Sequence, residues 1–137
     1  MALPTMDRRG LRTVIAKRGG WLLEAEAGVL GAINIAAPDA KRPELRWPTQ
    51  AVQEYLAGQR VQRSDEQLAE VIFGTGAKLA GLTTSAEVIH RLLCVTEHFF
   101  NLADAGEFPG TARPGPGRTA TVAWTALVAF VKRRRIN

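Results

Sequence analysis

The sequence has little of what would place the protein in a membrane or in an oxidising compartment. Its 137 residues contain one cysteine, which excludes an internal disulfide bond and suits a reducing cytoplasm. No apolar run approaches the roughly 18 to 20 residues of a membrane-spanning helix, and the N-terminus lacks the apolar core of a signal peptide. Acidic residues number 13 against 18 basic ones, which gives a net charge of +5. We therefore expect a cytoplasmic protein with an anionic partner and no membrane partner.

Signals for catalysis, metal binding and nucleotide binding are also weak. His90, Cys94 and His98 are spaced four and four, and one continuous helix would bring them to one face as zinc ligands. A turn is predicted between them, however, and no fourth ligand is conspicuous, which favours an inward-facing Cys94 with two half-exposed histidines. The glycines before Lys78 lack the spacing of a P-loop and a preceding strand. We expect no enzyme activity, no cofactor and no metal.

The most informative stretch covers residues 83–135 and begins with two short helical patterns. Thr84 and Glu87 place a hydroxyl and a carboxylate three residues apart before an apolar run, which is typical of a helix start. A second helix is predicted from Thr96, itself a cap candidate, to Gly106, with Pro109 preventing its continuation. Its apolar residues Phe99, Leu102 and Ala103 are expected to face the first helix, with Glu97, His98, Asn101 and Asp104 on the opposite side.

A basic loop and a third helical pattern complete this stretch. Residues 111–119 are rich in glycine and proline and are flanked by strand-forming threonine and valine, so we interpret them as a wing. A closing amphipathic helix is predicted from apolar residues that recur at intervals of three and four: Val122, Ala126, Leu127, Phe130 and Val131. It ends in the basic tail at residues 132–135. A mainly α protein with small β wings is the predicted fold class.

This order of elements resembles the small winged helix-turn-helix proteins of the excisionase type, within the MerR-like superfamily. The resemblance covers residues 83–135 and is carried by the sequence Ser-Ala-Glu-Val at 85–88, Leu92, Phe99 with Leu102, Gly-Glu-Phe-Pro at 106–109, Gly-Arg at 117–118, and Leu127 with Phe130. It implies a DNA-binding fold whose second helix enters the major groove while the wing contacts the neighbouring minor groove or backbone. Two departures are Leu93, where such proteins usually carry glycine, and the sequence Val-Thr-Glu at 95–97, where they carry a serine cap and a basic residue.

The N-terminal half is less distinctive. We predict a basic arm over residues 1–10, a helical unit over 11–62 and a packed helical connector over 63–82, opened by a capping box at Ser64 and Gln67. Residues 11–17 leave helix and strand both open, a helix is predicted from Trp21 to about Leu30, and another over 50–58. The last has apolar residues at the offsets of the closing helix, which is consistent with a degenerate tandem of two winged-helix units or with unrelated amphipathic helices. The three tryptophans are assigned to packing.

Candidate DNA contacts lie on the second helix, the wing and the tail. Asn101 has the donors and acceptors to read adenine, His98 can reach a base edge or a phosphate, and Thr96 can bind the backbone. Arginines of the wing suit phosphates or a narrow minor groove, and the tail either attracts phosphates or complements the helix dipole. The candidate residues are Thr96, Glu97, His98, Asn101, Arg113, Arg118, Lys132, Arg133, Arg134 and Arg135.

The expected function is sequence-specific binding of double-stranded DNA in a mobile element, as a recombination directionality factor or a small transcriptional regulator. A second copy of the chain or a recombinase is a possible further partner. The alternative is a non-enzymatic phage or plasmid adaptor, including a DNA-packaging subunit of the small-terminase kind. Glu97, Asp104 and Glu107 motivate that alternative, because carboxylates beside the presumed reading face repel phosphates.

Overall fold

The protein is a mixed α/β chain in which helices dominate. The structure, a computed structural model, describes residues 3–17 and 30–136. The strands in these residues are β1 (Thr5–Met6), β2 (Ile33–Asn34), β3 (Leu45–Pro48), β4 (Leu82–Thr84) and β5 (Thr121–Ala123). The helices are α1 (Arg8–Lys17), α2 (Thr49–Leu56), α3 (Asp65–Phe73), α4 (Thr75–Ala80), α5 (Ser85–Leu92), α6 (Thr96–Asp104) and α7 (Trp124–Arg134). None of the described helices has the length and apolar character that crossing a membrane requires.

Two small antiparallel sheets organise the two halves of the chain in the same way. The first has the order β1-β3-β2 and the second pairs β4 with β5. In each half the strand that precedes the first helix pairs with the strand that leads directly into the last helix. The amide of Thr49, the first residue of α2, donates to Pro4 at 3.0 Å, and that of Trp124, the first residue of α7, donates to Gly81 at 2.9 Å. The two halves therefore share one strand–helix–strand–helix frame.

Regular secondary structure begins closer to the N-terminus than the sequence suggests. The prediction of an arm over residues 1–10 is wrong from Thr5 onward, because β1 pairs with β3 and Thr5 is fully buried. Helix α1 begins at Arg8 and extends to Lys17, so the ambiguity over residues 11–17 resolves as helix. The signal was missed because a two-residue strand has no periodicity to read. The helix predicted from Trp21 to about Leu30 lies outside the described residues, apart from Leu30.

Side-chain caps define α3 and α5 as predicted. The Ser64 hydroxyl accepts from the amide of Gln67 while the Gln67 side chain accepts from the amide of Ser64, which is the reciprocal capping box. Thr84 caps α5 by accepting from the amide of Glu87 at 3.1 Å. Helix α4, which directly follows Gly74, was not predicted. Its six residues include a second glycine and no apolar repeat, so neither propensity nor pattern indicates it.

The larger hydrophobic core lies in the C-terminal half and includes the connector. Leu68 and Ile72 of α3 are buried together with Leu92 of α5 and with Leu127 and Phe130 of α7. A smaller core between α1, β3 and α2 contains Leu11, Leu30, Ala32, Trp47 and Val52. Both described tryptophans are buried, as predicted, whereas Trp21 lies outside the described residues. Val122, predicted within the closing helix, is instead the buried middle residue of β5.

Polar contacts join the two halves at the C-terminal end of α5. The Thr5 hydroxyl donates to the carbonyl of Arg91 at 2.6 Å, and the guanidinium of Arg46 donates to the carbonyls of Leu92 at 2.8 Å and Leu93 at 2.9 Å. These carbonyls have no partner inside their own helix, since the last turn of any helix leaves such groups free. The N-terminal half thus supplies the cap of α5.

The end of the chain also returns to the N-terminal half. Arg135 forms a β-bridge with Ile33, and the amide of Ile136 donates to the carbonyl of Ala32 at 2.9 Å. The Arg135 guanidinium reaches Asp65 at 3.2 Å. The segment after α7 is therefore part of the packed structure.

Candidate nucleic-acid interface

A tight turn between α5 and α6 sets the geometry of the candidate interface. Leu93 adopts a left-handed conformation with φ of 51°, at the position where excisionase-type proteins usually carry glycine. A left-handed conformation costs a non-glycine residue roughly 1–2 kcal/mol, so packing maintains the turn here without glycine. Thr96 is the first residue of α6, and the cap position belongs to Val95, which has no side-chain donor or acceptor. The prediction of Thr96 as a cap is therefore wrong.

Helix α6 presents a polar outer face. Phe99, Leu102 and Ala103 are buried as predicted, and Phe100 is buried as well. Glu97, Asn101 and Asp104 are exposed and lie on neighbouring turns of the helix. These three side chains form what we call the α6 outer face.

Arg113 from the loop that follows α6 lies across this outer face. Its guanidinium donates to Glu97 at 3.0 Å, to Asp104 at 3.0 Å and to the amide oxygen of Asn101 at 3.2 Å, and it sits 5.4 Å from the centre of the Phe100 ring. The hydrogen bonds that Arg113 donates to the carboxylates of Glu97 and Asp104 raise its pKa. The loop is thus held against α6, and the positive charge of Arg113 is neutralised by the face it covers.

His98 does not share the outer face with the other polar residues of α6. It is half-buried, and its Nε2 atom lies 2.6 Å from the carbonyl oxygen of Ile35 and 3.5 Å from a carboxylate oxygen of Glu44. Both partners belong to the N-terminal half. The prediction that His98 faces outward beside Glu97 is therefore wrong, because Ile35 and Glu44 of the N-terminal half pack against this side of α6 and bind the imidazole.

The turn after α6 explains the Gly-Glu-Phe-Pro sequence. Gly106 has φ of 86°, and the amides of Gly106 and Glu107 donate to Ala103 and Leu102, which closes the helix with a left-handed cap. Phe108 is 1% exposed and packs between two other rings. The three residues before the proline, Gly106, Glu107 and Phe108, therefore each have a structural function.

The Glu107 carboxylate binds two arginines of the basic tail. Its carboxylate accepts from Arg133 at 2.9 Å and from Arg134, whose guanidinium also donates to the carbonyls of Asn34 and Ala36. Arg134 is only 11% exposed at its side chain. Arg133, Arg134 and Arg135 are thus ion-paired within the protein, which favours a structural role for this part of the tail over free attraction of phosphates.

Two of the predicted DNA contacts carry unpaired positive charge. Arg118 in the wing loop and Lys132 on α7 are exposed and make no side-chain hydrogen bond or ion pair with any part of the chain that the structure describes. Thr96 is exposed at the start of α6. The candidate interface therefore consists of the α6 outer face and Arg113, which covers it, and the same loop also carries the unpaired guanidinium of Arg118.

Glu107 provides a pH-dependent contribution to stability. Burial raises the pKa of its carboxyl, but hydrogen bonds and charge from Arg134 and Arg133 outweigh burial and leave the pKa below 4.5, its ordinary value. A carboxyl with a lowered folded-state pKa stabilises the protein above its unfolded-state pKa, and this stabilisation is lost as the pH falls through the folded-state value.

We expect Glu107→Gln to lower the free energy of unfolding by about 2 kcal/mol near neutral pH, because two arginines lose their carboxylate. The gap between wild type and variant should shrink at acid pH, once the pH has fallen through the lowered folded-state pKa and wild-type Glu107 is protonated. Urea unfolding followed by circular dichroism measures both values. Glu97→Gln is the control, since the Glu97 side chain is 70% exposed and its loss should cost well under about 1 kcal/mol. A Glu107→Gln gap that is equally large at both pH values contradicts the assignment.

Cys94 and the histidines do not form a metal centre in the described structure. No group of three or more histidine, cysteine, aspartate or glutamate side chains within residues 3–17 and 30–136 is arranged to hold a metal ion. Burial raises the pKa of the Cys94 thiol to about 11, so the thiol stays protonated at neutral pH. A protonated thiol is a poor nucleophile and a poor metal ligand.

Comparison of the chain with protein-family models, with curated proteins and with solved structures found no match.

Proposed function

We propose that this protein is a sequence-specific double-stranded DNA-binding protein of the winged helix-turn-helix type, serving a mobile element as a recombination directionality factor or a small regulator. The observation that carries the proposal is the exposed outer face of α6 beneath a wing loop. Arg113 holds the Glu97 carboxylate and the Asn101 amide oxygen, whereas the amide nitrogen of exposed Asn101 has no partner within the described residues and can donate to a base edge in a major groove. The excisionase-type resemblance of residues 83–135 supports the same assignment.

The arrangement of the wing agrees with this proposal. Strands β4 and β5 pair at the base of the wing loop, with Thr84 opposite Thr121. Arg113 fixes the loop to α6, while Arg118 remains free to bind a phosphate or enter a narrow minor groove. In this proposal the paired Arg113 orients the loop and the unpaired Arg118 contacts DNA.

Titration of duplex DNA from the protein's genomic neighbourhood in a gel-shift assay at low salt tests the proposal. We expect Asn101→Ala to weaken binding to the preferred sequence by roughly tenfold to a hundredfold and to reduce discrimination, because a side chain that can pair with adenine is lost. Lys78→Ala is the control, since the Lys78 ammonium is tied to Glu70 at 3.0 Å on the connector. Absence of any binding by the wild-type protein at low salt would overturn the proposal.

A second candidate function is protein binding by the same surface. The α6 outer face contributes two carboxylates and Arg113 a single positive charge, so the patch carries a net negative charge that suits a basic protein partner. Alanine at Glu97 and Asp104 separates the two candidates. Improved DNA binding by this double variant supports DNA as the partner, whereas loss of a protein partner with unchanged DNA binding supports an adaptor.

A further inference from the structure

Unpaired positive charge lies mainly in the N-terminal half, outside the stretch that resembles excisionases. Four exposed cations there make no side-chain hydrogen bond or ion pair with the residues that the structure describes: Arg9, Arg12, Lys41 and Arg42. In the C-terminal half most basic side chains are held by carboxylates, as shown above for Arg113 and for Arg133 to Arg135. Phosphates attract unpaired cations more strongly than cations already neutralised by the protein.

One of these cations, Arg9, lines a groove between the start of α1 and the β2–β3 hairpin, and the other three lie on the elements that form its two sides. Arg9 and Arg12 are three residues apart on α1, so their side chains are neighbours on the same face of the helix. A groove of about 310 Å³ is lined on one side by residues 7–9 and on the other by residues 43–46. Lys41 and Arg42 directly precede the second side, in the loop between β2 and β3. Arg9 therefore stands at the groove, while Arg12 is carried by the helix on one side of it and Lys41 and Arg42 by the loop that leads into the other side.

Three acidic residues lie near the groove, and two of them already have partners within the protein. Asp7 accepts from the amide of Gly10 at 2.8 Å, and Glu44 lies 3.5 Å from His98 and 3.8 Å from the guanidinium of Arg46. Asp39 is exposed in the same loop as Lys41. The groove margin therefore keeps a positive excess.

Because the two halves share one frame, α1 and the β2–β3 loop occupy positions that correspond to α5 and the wing loop. Helix α1 follows β1 as α5 follows β4, and the β2–β3 loop leads toward α2 as the wing loop leads toward α7. The Arg46 and Thr5 contacts with the end of α5 fix the N-terminal frame to the helix-turn-helix. The β2–β3 loop also meets α6 directly, since His98 Nε2 lies 2.6 Å from the carbonyl oxygen of Ile35 and 3.5 Å from a carboxylate oxygen of Glu44. A duplex bound at α6 would therefore lie beside this loop.

We propose that the α1 face and the β2–β3 loop form a second DNA-contacting surface, in which Arg9, Arg12, Lys41 and Arg42 bind phosphates of the same duplex. This inference rests on the proposed function and extends it, since the additional contacts supply affinity without reading sequence.

Salt dependence of DNA binding tests this surface. Each bound phosphate contributes roughly 0.9 to the slope of log affinity against log salt concentration, so Arg9→Gln with Arg12→Gln should flatten the slope by about 2. Lys41→Gln with Arg42→Gln should do the same, and each pair should weaken binding about tenfold or more at low salt. Discrimination between the preferred and a scrambled duplex should stay unchanged, because phosphate contacts carry no sequence information.

Arg60→Gln with Lys78→Gln removes the same charge from side chains that the protein already engages, at Tyr55 and Glu70, and should leave the slope at the wild-type value. Thermal unfolding confirms that all variants are folded. Wild-type slopes for both N-terminal pairs overturn the inference while leaving the proposed function intact, whereas failure of the wild-type protein to bind DNA removes both. The inference is also overturned if the N-terminal variants flatten the slope for duplex RNA but keep the wild-type slope for DNA.

Discussion

Replacing Arg46 with alanine is expected to lower the free energy of unfolding by about 3 kcal/mol and the melting temperature by about 10 °C. Arg46 is 8% exposed and stands in β3, in the N-terminal half. Its guanidinium donates to Leu92 and Leu93 at the end of α5 and to Leu45 at 3.0 Å. Alanine would leave these carbonyls without donors in a site that excludes most water, and leaving a buried polar group unpaired costs about 1–3 kcal/mol.

Arg42→Ala is the matched control, because Arg42 lies in the same hairpin and is exposed. Its replacement should change the free energy of unfolding by less than about 0.5 kcal/mol. Arg46→Met retains most of the apolar stem and separates lost hydrogen bonds from lost packing. Urea unfolding followed by circular dichroism gives all three values. If Arg46→Ala is no less stable than Arg42→Ala, the cap on α5 does not join the halves in the way described here.

Phe108→Ala is expected to be still more destabilising, by about 4 kcal/mol. The Phe108 ring stacks on Phe99 with centroids 5.0 Å apart and meets Phe130 at 4.7 Å, so its removal opens a cavity between α6 and α7. Aromatic pairs add roughly 0.5–1.5 kcal/mol to the burial of their area. The ring also fixes the start of the wing, since the Phe108 carbonyl accepts from the amide of Thr111 at 3.0 Å.

Leu79→Ala serves as the control for Phe108→Ala, because Leu79 is 82% exposed and should be replaceable at a cost under about 0.5 kcal/mol. Phe108→Leu should recover more than half of the lost stability by refilling most of the cavity. Chemical unfolding gives the three differences. A Phe108→Ala variant with nearly wild-type stability would show that the three rings do not form the centre of this core.

Local patterns in the sequence predicted the helices of the C-terminal half well. Ser64 and Thr84 mark helix starts, because each hydroxyl accepts a hydrogen bond from the backbone amide only three residues later. Most of the buried residues of α6 and α7 follow from helical spacing, with Phe100 an exception, and Gly106 follows from the need for a left-handed cap. Such features depend on residues within one or two turns, which a sequence displays directly.

Contacts between distant parts of the chain could not be predicted in this way. The sequence offered Arg113 and Arg134 as free cations, whereas the structure pairs them with Glu97 and Glu107, respectively 16 and 27 positions away. His98 was drawn away from the outer face by Ile35, which lies 63 positions earlier. Which basic residue is neutralised depends on tertiary packing, and the unpaired cations of the N-terminal half carry no motif that distinguishes them from ordinary surface charge.

The returning segment after α7 has a consequence for how the protein is made. Asn34 receives a hydrogen bond from Arg134, a residue 100 positions further along the chain, and Ile33 pairs with Arg135. During synthesis on the ribosome, the β2–β3 hairpin emerges long before these partners do. Domains rich in such long-range pairings fold slowly, because the loop-closure entropy is lost before the contacts form. We therefore expect the outer edge of β2 to stay unpaired in the nascent chain until translation has passed α7.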